Sequence, residues 1–139
     1  MNAIVLFLHF FGLMLGSAGG MGSAVIMRRA MSMPADQAQT VRSLGPLLAQ
    51  VSAAGLVLLW LTGIVLVFTH GGIANMPGLF WAKLLFVVVV TVVVGLVHMT
   101  YAQIRRTGNA ALGKRLAMLG PASGAATLLA VLFAVYAFY

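Results

Sequence analysis

The chain of 139 residues has no cysteine and only one acidic residue, Asp36. The absence of cysteine excludes disulfides, thiolate metal ligands and iron–sulfur clusters. Asp36 lies outside the long apolar segments, which argues against a carboxylate-driven transporter and against a paired-carboxylate hydrolase. Charged residues make up 6% of the chain, whereas soluble domains have about 25%, so the chain has too few charges to cover a water-facing surface.

What the chain has in abundance is apolar residues, which make up 63% of it and give a mean hydropathy of +1.11. A helix needs roughly 20 apolar residues to cross the hydrocarbon layer. Four stretches are long enough, at 3–27, 44–69, 79–101 and 116–138. Because the backbone in lipid must form its hydrogen bonds within its own segment, even the valine-rich run at 87–94 is expected to be helical. The sequence therefore predicts an all-α polytopic membrane protein of the cell inner membrane, with a single four-helix transmembrane domain over residues 1–139.

The basic residues predict the orientation of this bundle. Seven of the eight lie in the first and third connections, on one side of the membrane: Arg28, Arg29, Arg42, Arg105, Arg106, Lys114 and Arg115. By the positive-inside rule that side is cytoplasmic, so the chain is N-out and C-out, with both termini periplasmic or extracellular. The eighth, Lys83, lies one turn into the third span, near its outer end. The expected partners of the basic clusters are anionic lipid headgroups and not nucleic acid.

A short repeat relates the two halves of the sequence. Leu-Gly-Pro at 44–46 recurs at 119–121, and each copy follows a basic connection and opens an outward span. The pattern fits tandem helical hairpins, although a three-residue match in so biased a composition also arises by chance. The second helix is expected to begin in the cytoplasm near Pro34 and to run through Pro46 with a kink.

His9 is the first candidate for a cofactor ligand, because ionisable residues inside spans are rare and imidazole is a common axial ligand of haem. At 100° per residue, Gly12, Gly16 and Gly20 lie on the same side of the helix as His9. Such a groove would let a flat macrocycle lie against the backbone beside its ligand. The alternative is that the glycine stripe is a packing device between membrane helices.

The other two histidines are His70, at the outer end of the second span, and His98, near the inner end of the third. His70 could be a metal-ligating partner of His9 or an interfacial residue bonded to water. His98 lies roughly 20 Å below His9 at 1.5 Å per residue, so the two cannot share one iron. His98 could ligate a second cofactor, with Arg105 available for a propionate or phosphate, or it could hydrogen-bond across helices to a Ser or Thr. Methionine sulfur also binds copper, but no methionines form an i, i+3 or i, i+4 pair beside a histidine.

The outline of the chain resembles two bacterial membrane families, the HemJ-type protoporphyrinogen oxidases and the CopD-type copper-resistance proteins. The resemblance covers most of the chain and is carried by His9 with the glycines behind it, the basic pair at 28–29, Thr62-Gly63, Trp81-Ala82-Lys83 and the later His98. It implies b-type haem ligated by His9, a supporting role for Lys83 and oxidation of a porphyrinogen. The first helix lacks the Trp and Tyr that are typical of the oxidases.

Three functional hypotheses follow. The first is a haem-b protein that transfers electrons or oxidises a membrane-soluble substrate such as a porphyrinogen. The second is a cofactor-free accessory subunit of a larger membrane complex, or a homodimer that pairs through the glycine stripe. The third is a copper or small-solute permease.

Overall fold

A computed structural model describes residues 2–138. Its five α-helices are α1 (Ala3–Met31), α2 (Ala35–Arg42), α3 (Gly45–Thr69), α4 (Gly78–Thr107) and α5 (Gly113–Phe138), with short 3₁₀ turns at Ile73–Asn75 and Ala110–Leu112. Within the described residues, four helical segments are long and apolar enough to cross a membrane, and α2 and α3 together form the second of them. The predicted all-α, four-helix membrane bundle is confirmed.

The helices extend beyond the predicted spans at their basic ends. α1 continues to Met31 and α4 continues to Thr107, so the arginine pairs lie in the last helical turns. Cations at a helix C-terminus interact favourably with the macrodipole, which supports these extra turns outside the apolar layer. α4 then ends at Gly108, whose φ of +66° is the left-handed conformation that commonly terminates helices.

The second span begins at Ala35, near the expected start, and is interrupted just before Pro46, where Ser43 and Leu44 keep right-handed helical dihedral angles between two helices. α2 ends at Arg42, and α3 begins at Gly45 with Pro46 in its first turn. Proline has no N–H to donate, and the first turn of a helix is where that loss matters least. Ala38 of α2 is buried, and α2 packs against α1.

Small and polar side chains make up much of the bundle interior beside a core cluster of Met27, Tyr101 and Leu116, and most large apolar side chains face outward. The buried polar side chains are Ser23, Ser52, Thr62, Thr100 and Ser123. Large apolar side chains such as Phe7, Leu61 and Leu128 are more than half exposed. This arrangement suits a lipid environment, because lipid tails are as apolar as leucine and helix association relies on close packing and polar contacts.

The closest helix contact is between α1 and α3. A Cβ atom on Gly12 would lie 2.9 Å from the carbonyl oxygen of Gly55, and one on Gly19 would lie 2.6 Å from the backbone nitrogen of Ser52. Real Cβ atoms do not approach backbone atoms so closely, so the two helices can meet here only because these positions are glycine. α1 and α3 are thereby held backbone to backbone.

The other pairs of neighbouring helices differ in how closely they pack. α4 packs extensively along α5, and α5 packs against α1, where Gly120 meets Ala24. α3 and α4 are the most loosely joined of the neighbouring long helices. They are linked by the indole N–H of Trp60, which donates to Thr91 Oγ1 at 3.0 Å, and by Tyr101 against Gly45. α1 with α3 and α4 with α5 thus form two closely packed hairpins, an arrangement that fits the two tandem hairpins suggested by the sequence.

Gly19→Ala is expected to destabilise the bundle, because its methyl group would overlap the α3 backbone. The expected loss in free energy of unfolding in detergent is about 1–3 kcal/mol. Gly95→Ala is the matched control, since a Cβ there meets nothing within 4 Å. Equal unfolding free energies for the two variants would contradict the close α1–α3 contact.

Candidate functional site

His9 lies on α1 about two turns from its N-terminal end and points towards α3. Its Nδ1 atom is 2.9 Å from Thr62 Oγ1, and Thr62 itself is buried. The neighbouring Gly63 lies beside the ring, since a Cβ there would be in ordinary van der Waals contact, 3.5 Å from His9 Cε1. Thr62 therefore bonds the imidazole, and Gly63 lies next to it on α3.

The hydrogen bonds of Thr62 determine which nitrogen of His9 carries the proton. The Thr62 hydroxyl donates to the carbonyl oxygen of Leu58, one turn earlier, at 2.6 Å. Since a threonine hydroxyl has a single proton, Thr62 can only accept from His9. With Thr62 as the acceptor, His9 is the Nδ1–H tautomer, and the lone pair of the ring lies on Nε2. Metal-ligating histidines are commonly oriented this way, by a hydrogen bond from the second ring nitrogen.

Lys83, near the start of α4, lies at the same end of the bundle as this imidazole. It is half-buried, and its Nζ atom lies 6.0 Å from the centre of the Phe80 ring. Asp36 is the only side-chain carboxylate in the chain, and it lies in α2 at the opposite end of the bundle. Lys83 thus presents an ammonium group with no carboxylate side chain of this chain within reach, which suits it to an anionic ligand.

The glycine stripe expected to form an open groove beside His9 is filled by α3. Gly12 meets the backbone of α3, and the Gly16 carbonyl accepts a hydrogen bond of 2.9 Å from Ser52 Oγ. The small residues Ser52 and Gly55 on α3 let that helix close onto the stripe. Gly20 faces the centre of the bundle instead. The structure therefore shows the packing alternative for Gly12 and Gly16, and the face for a flat macrocycle is not open within the described chain.

His70, His98 and Arg105 do not join His9. His70 ends α3, is exposed, and has its Nδ1 atom 2.8 Å from the Leu66 carbonyl oxygen. His98 is half-buried on α4, with its Nδ1 atom 3.0 Å from the Val94 carbonyl oxygen of its own helix. Arg105 lies exposed in the last turn of α4. Within residues 2–138 no three side chains of the His, Cys, Asp or Glu types come together as a metal site.

The donor atoms at His9 and Lys83 nevertheless fit a haem. A neutral imidazole Nε2 is a usual axial ligand of haem iron, and an ammonium group can pair with a propionate. Two cavities on the bundle axis have volumes of about 20 Å³ each, and His9 lines neither of them. A bound ring would therefore have to lie away from both the glycine stripe and these cavities.

No protein-family model, curated protein or solved structure matches the chain. A function is therefore inferred from the geometry of the chain's own residues.

Thr62→Val tests the hydrogen bond that orients His9. Thr100→Val is a matched control, because Thr100 is also buried and donates to a carbonyl one turn back, that of Leu96, without bonding to another helix. Thr62→Val should lower the free energy of unfolding by about 0.6 kcal/mol more than Thr100→Val, the average value for hydrogen bonds between membrane helices. In the His9→Ala background this difference should disappear. A difference that persists in that background would contradict the His9–Thr62 bond.

Proposed function

We propose that this chain is a haem-b-binding integral membrane protein with a redox role, in which His9 Nε2 is the axial ligand. The observation that carries the proposal is the 2.9 Å contact between His9 Nδ1 and Thr62 Oγ1, because with Thr62 as the acceptor the lone pair of the ring lies on Nε2. The resemblance to the HemJ-type family supports the same residue. A bound haem would supply one-electron transfer to a membrane-soluble substrate, such as a porphyrinogen, or to a protein partner.

Three residues of the chain would hold the haem in place. His9 would bind the iron of a haem, and Thr62 would hold the imidazole in the tautomer that can do so. Lys83 pairs with a propionate, because no side-chain carboxylate of the chain competes for its ammonium group. Thr62 and Lys83 lie on α3 and α4, the most loosely joined pair of neighbouring helices, and this favours access for a ligand between them.

His9→Ala should abolish haem binding, and Lys83→Met should weaken it. The full chain is purified in detergent, and haem is quantified per chain with a reduced-minus-oxidised absorption spectrum. Losing a partly buried charge pair should raise the haem Kd about tenfold, equivalent to about 1.4 kcal/mol. His70→Ala is the matched control, since it removes an exposed imidazole at the same end of the bundle and should leave the spectrum unchanged.

Two outcomes would contradict the haem proposal. One is full haem retention by His9→Ala. The other is a featureless spectrum from well-folded wild-type protein that stays featureless after haem is supplied. The second outcome would favour a cofactor-free accessory subunit of a larger membrane complex, or a permease.

We also propose the N-out, C-out orientation in a bacterial inner membrane, with the arginine-rich helix ends in the cytoplasm against anionic headgroups. Because the chain has no cysteine, single substitutions can report orientation without background. A membrane-impermeant maleimide should label Ala74→Cys, in the exposed α3–α4 connection, in intact cells. It should label Ala111→Cys, in the exposed α4–α5 connection, only after lysis. The reverse pattern would contradict the orientation.

A further inference from the structure

Two small cavities lie along the axis of the bundle, between its four long helices. The inner cavity is lined by residues that include Gly20, Ser52, His98 and Ser123, and the middle cavity by residues that include Ser17, Ser52 and Thr127. Each cavity has a volume of about 20 Å³. Ser52 and Val94 line both cavities, which shows that the two are adjacent. One water molecule needs about 10–15 Å³ measured in this way, so each cavity has room for one.

Ser123 contributes a hydroxyl group to the inner cavity. Its side chain is 8% exposed, and the hydroxyl makes no hydrogen bond to any residue of the described chain. In residues 2–138 every polar side-chain atom that is completely enclosed has a hydrogen-bond partner. The Ser123 hydroxyl is therefore not completely enclosed, and the residue that carries it lines the inner cavity.

Two acceptors line the same cavity from other helices. The Ser52 hydroxyl donates its proton to the Gly16 carbonyl oxygen at 2.9 Å. Ser52 Oγ can therefore only accept a further hydrogen bond. His98 uses Nδ1 to bond the Val94 carbonyl oxygen, so its other ring nitrogen, Nε2, is an acceptor. The cavity lining thus offers one hydrogen-bond donor, on Ser123, and two acceptors, on Ser52 and His98. These groups could bind a small molecule that both donates and accepts hydrogen bonds.

Gly20 keeps this space open. A Cβ atom there would lie 3.6 Å from Ser52 Oγ and 3.9 Å from Ser123 Oγ, so the two hydroxyl groups converge on the glycine. These are ordinary van der Waals distances. A methyl group at position 20 therefore fits without displacing a helix, but it occupies the region between the hydroxyls.

We propose that the inner cavity is a water-binding site in which one water molecule bridges Ser123, Ser52 and His98 and makes His98 Nε2 accessible to proton exchange inside the bundle. Polar cavities of this size hold ordered water with two to four partners, whereas apolar cavities stay dry. The bridge joins α3, α4 and α5, three helices that share few direct polar contacts at this depth. The site is independent of the haem proposed at His9.

The test is water-edited solid-state NMR of the full-length chain in lipid bilayers. Magnetisation from water should reach the Cβ atoms of Ser52 and Ser123 and the ring of His98. It should not reach Ala130, which is buried but lines neither cavity. Gly20→Ala should abolish the transfer at all three residues. Gly124→Ala is the matched control, because its methyl group would meet only Met21 Cγ at 3.7 Å, and it should retain the transfer.

Absence of transfer in the wild-type chain would overturn the proposal, and so would undiminished transfer in Gly20→Ala. Ser123→Ala provides a second variant, since it removes the donor without adding an atom. It should reduce the transfer at His98 while the α1–α3 contacts remain. Full transfer at His98 in Ser123→Ala would also overturn the bridge.

Discussion

The backbone contact between α1 and α3 is the constraint on which the rest of the structure depends. Gly12 and Gly19 on one helix and Gly55 on the other leave no side chain between the two backbones. In lipid there is no hydrophobic force that drives helices together, so contact area and polar bonds must hold them. The contact sets the relative depth of the two helices. That depth brings His9 level with Thr62 near one end, and it brings Ser52 level with the Gly16 carbonyl near the middle.

The near absence of acids determines how the interior groups are oriented. Buried histidines are often held by carboxylates. Here the partners are a hydroxyl for His9 and backbone carbonyls for His70 and His98. Such neutral partners fix the tautomer without adding a charge inside the apolar layer, which would be costly there. In each of the three histidines Nδ1 is the bonded nitrogen, so Nε2 is the one available for a ligand or for water.

The sequence predicts the helices well because their existence depends on local properties. Hydropathy and length identify the four spans, since an unpaired backbone is not tolerated in lipid. The helix ends are less predictable. α1 reaches Met31 because the arginines of its last turn favour helix outside the apolar layer, and the chain breaks before Gly45 because Pro46 takes a first-turn position. Both outcomes depend on competition between short-range effects.

The site is predicted only in part, because its members meet through tertiary contacts. Periodicity places Gly12, Gly16 and Gly20 on the side of α1 that carries His9, but it does not say which helix lies against that side. Gly19, which packs closest to α3, was missed. The small residues at 52 and 55 in the second span are the signal that could have revealed the packing face. Thr62 entered only through a family resemblance, since pairing it with His9 requires the relative depth of α1 and α3.

The most direct test of this account is the protonation of the His9 ring, measured by ¹⁵N NMR of histidine-labelled protein purified without added haem. The His9 resonances are assigned with the variants His70→Gln and His98→Gln. The account predicts a protonated Nδ1 and an unprotonated Nε2, as required for a ligand held by Thr62. A protonated Nε2 would contradict it, because the ring would then have no unprotonated Nε2 to act as a ligand.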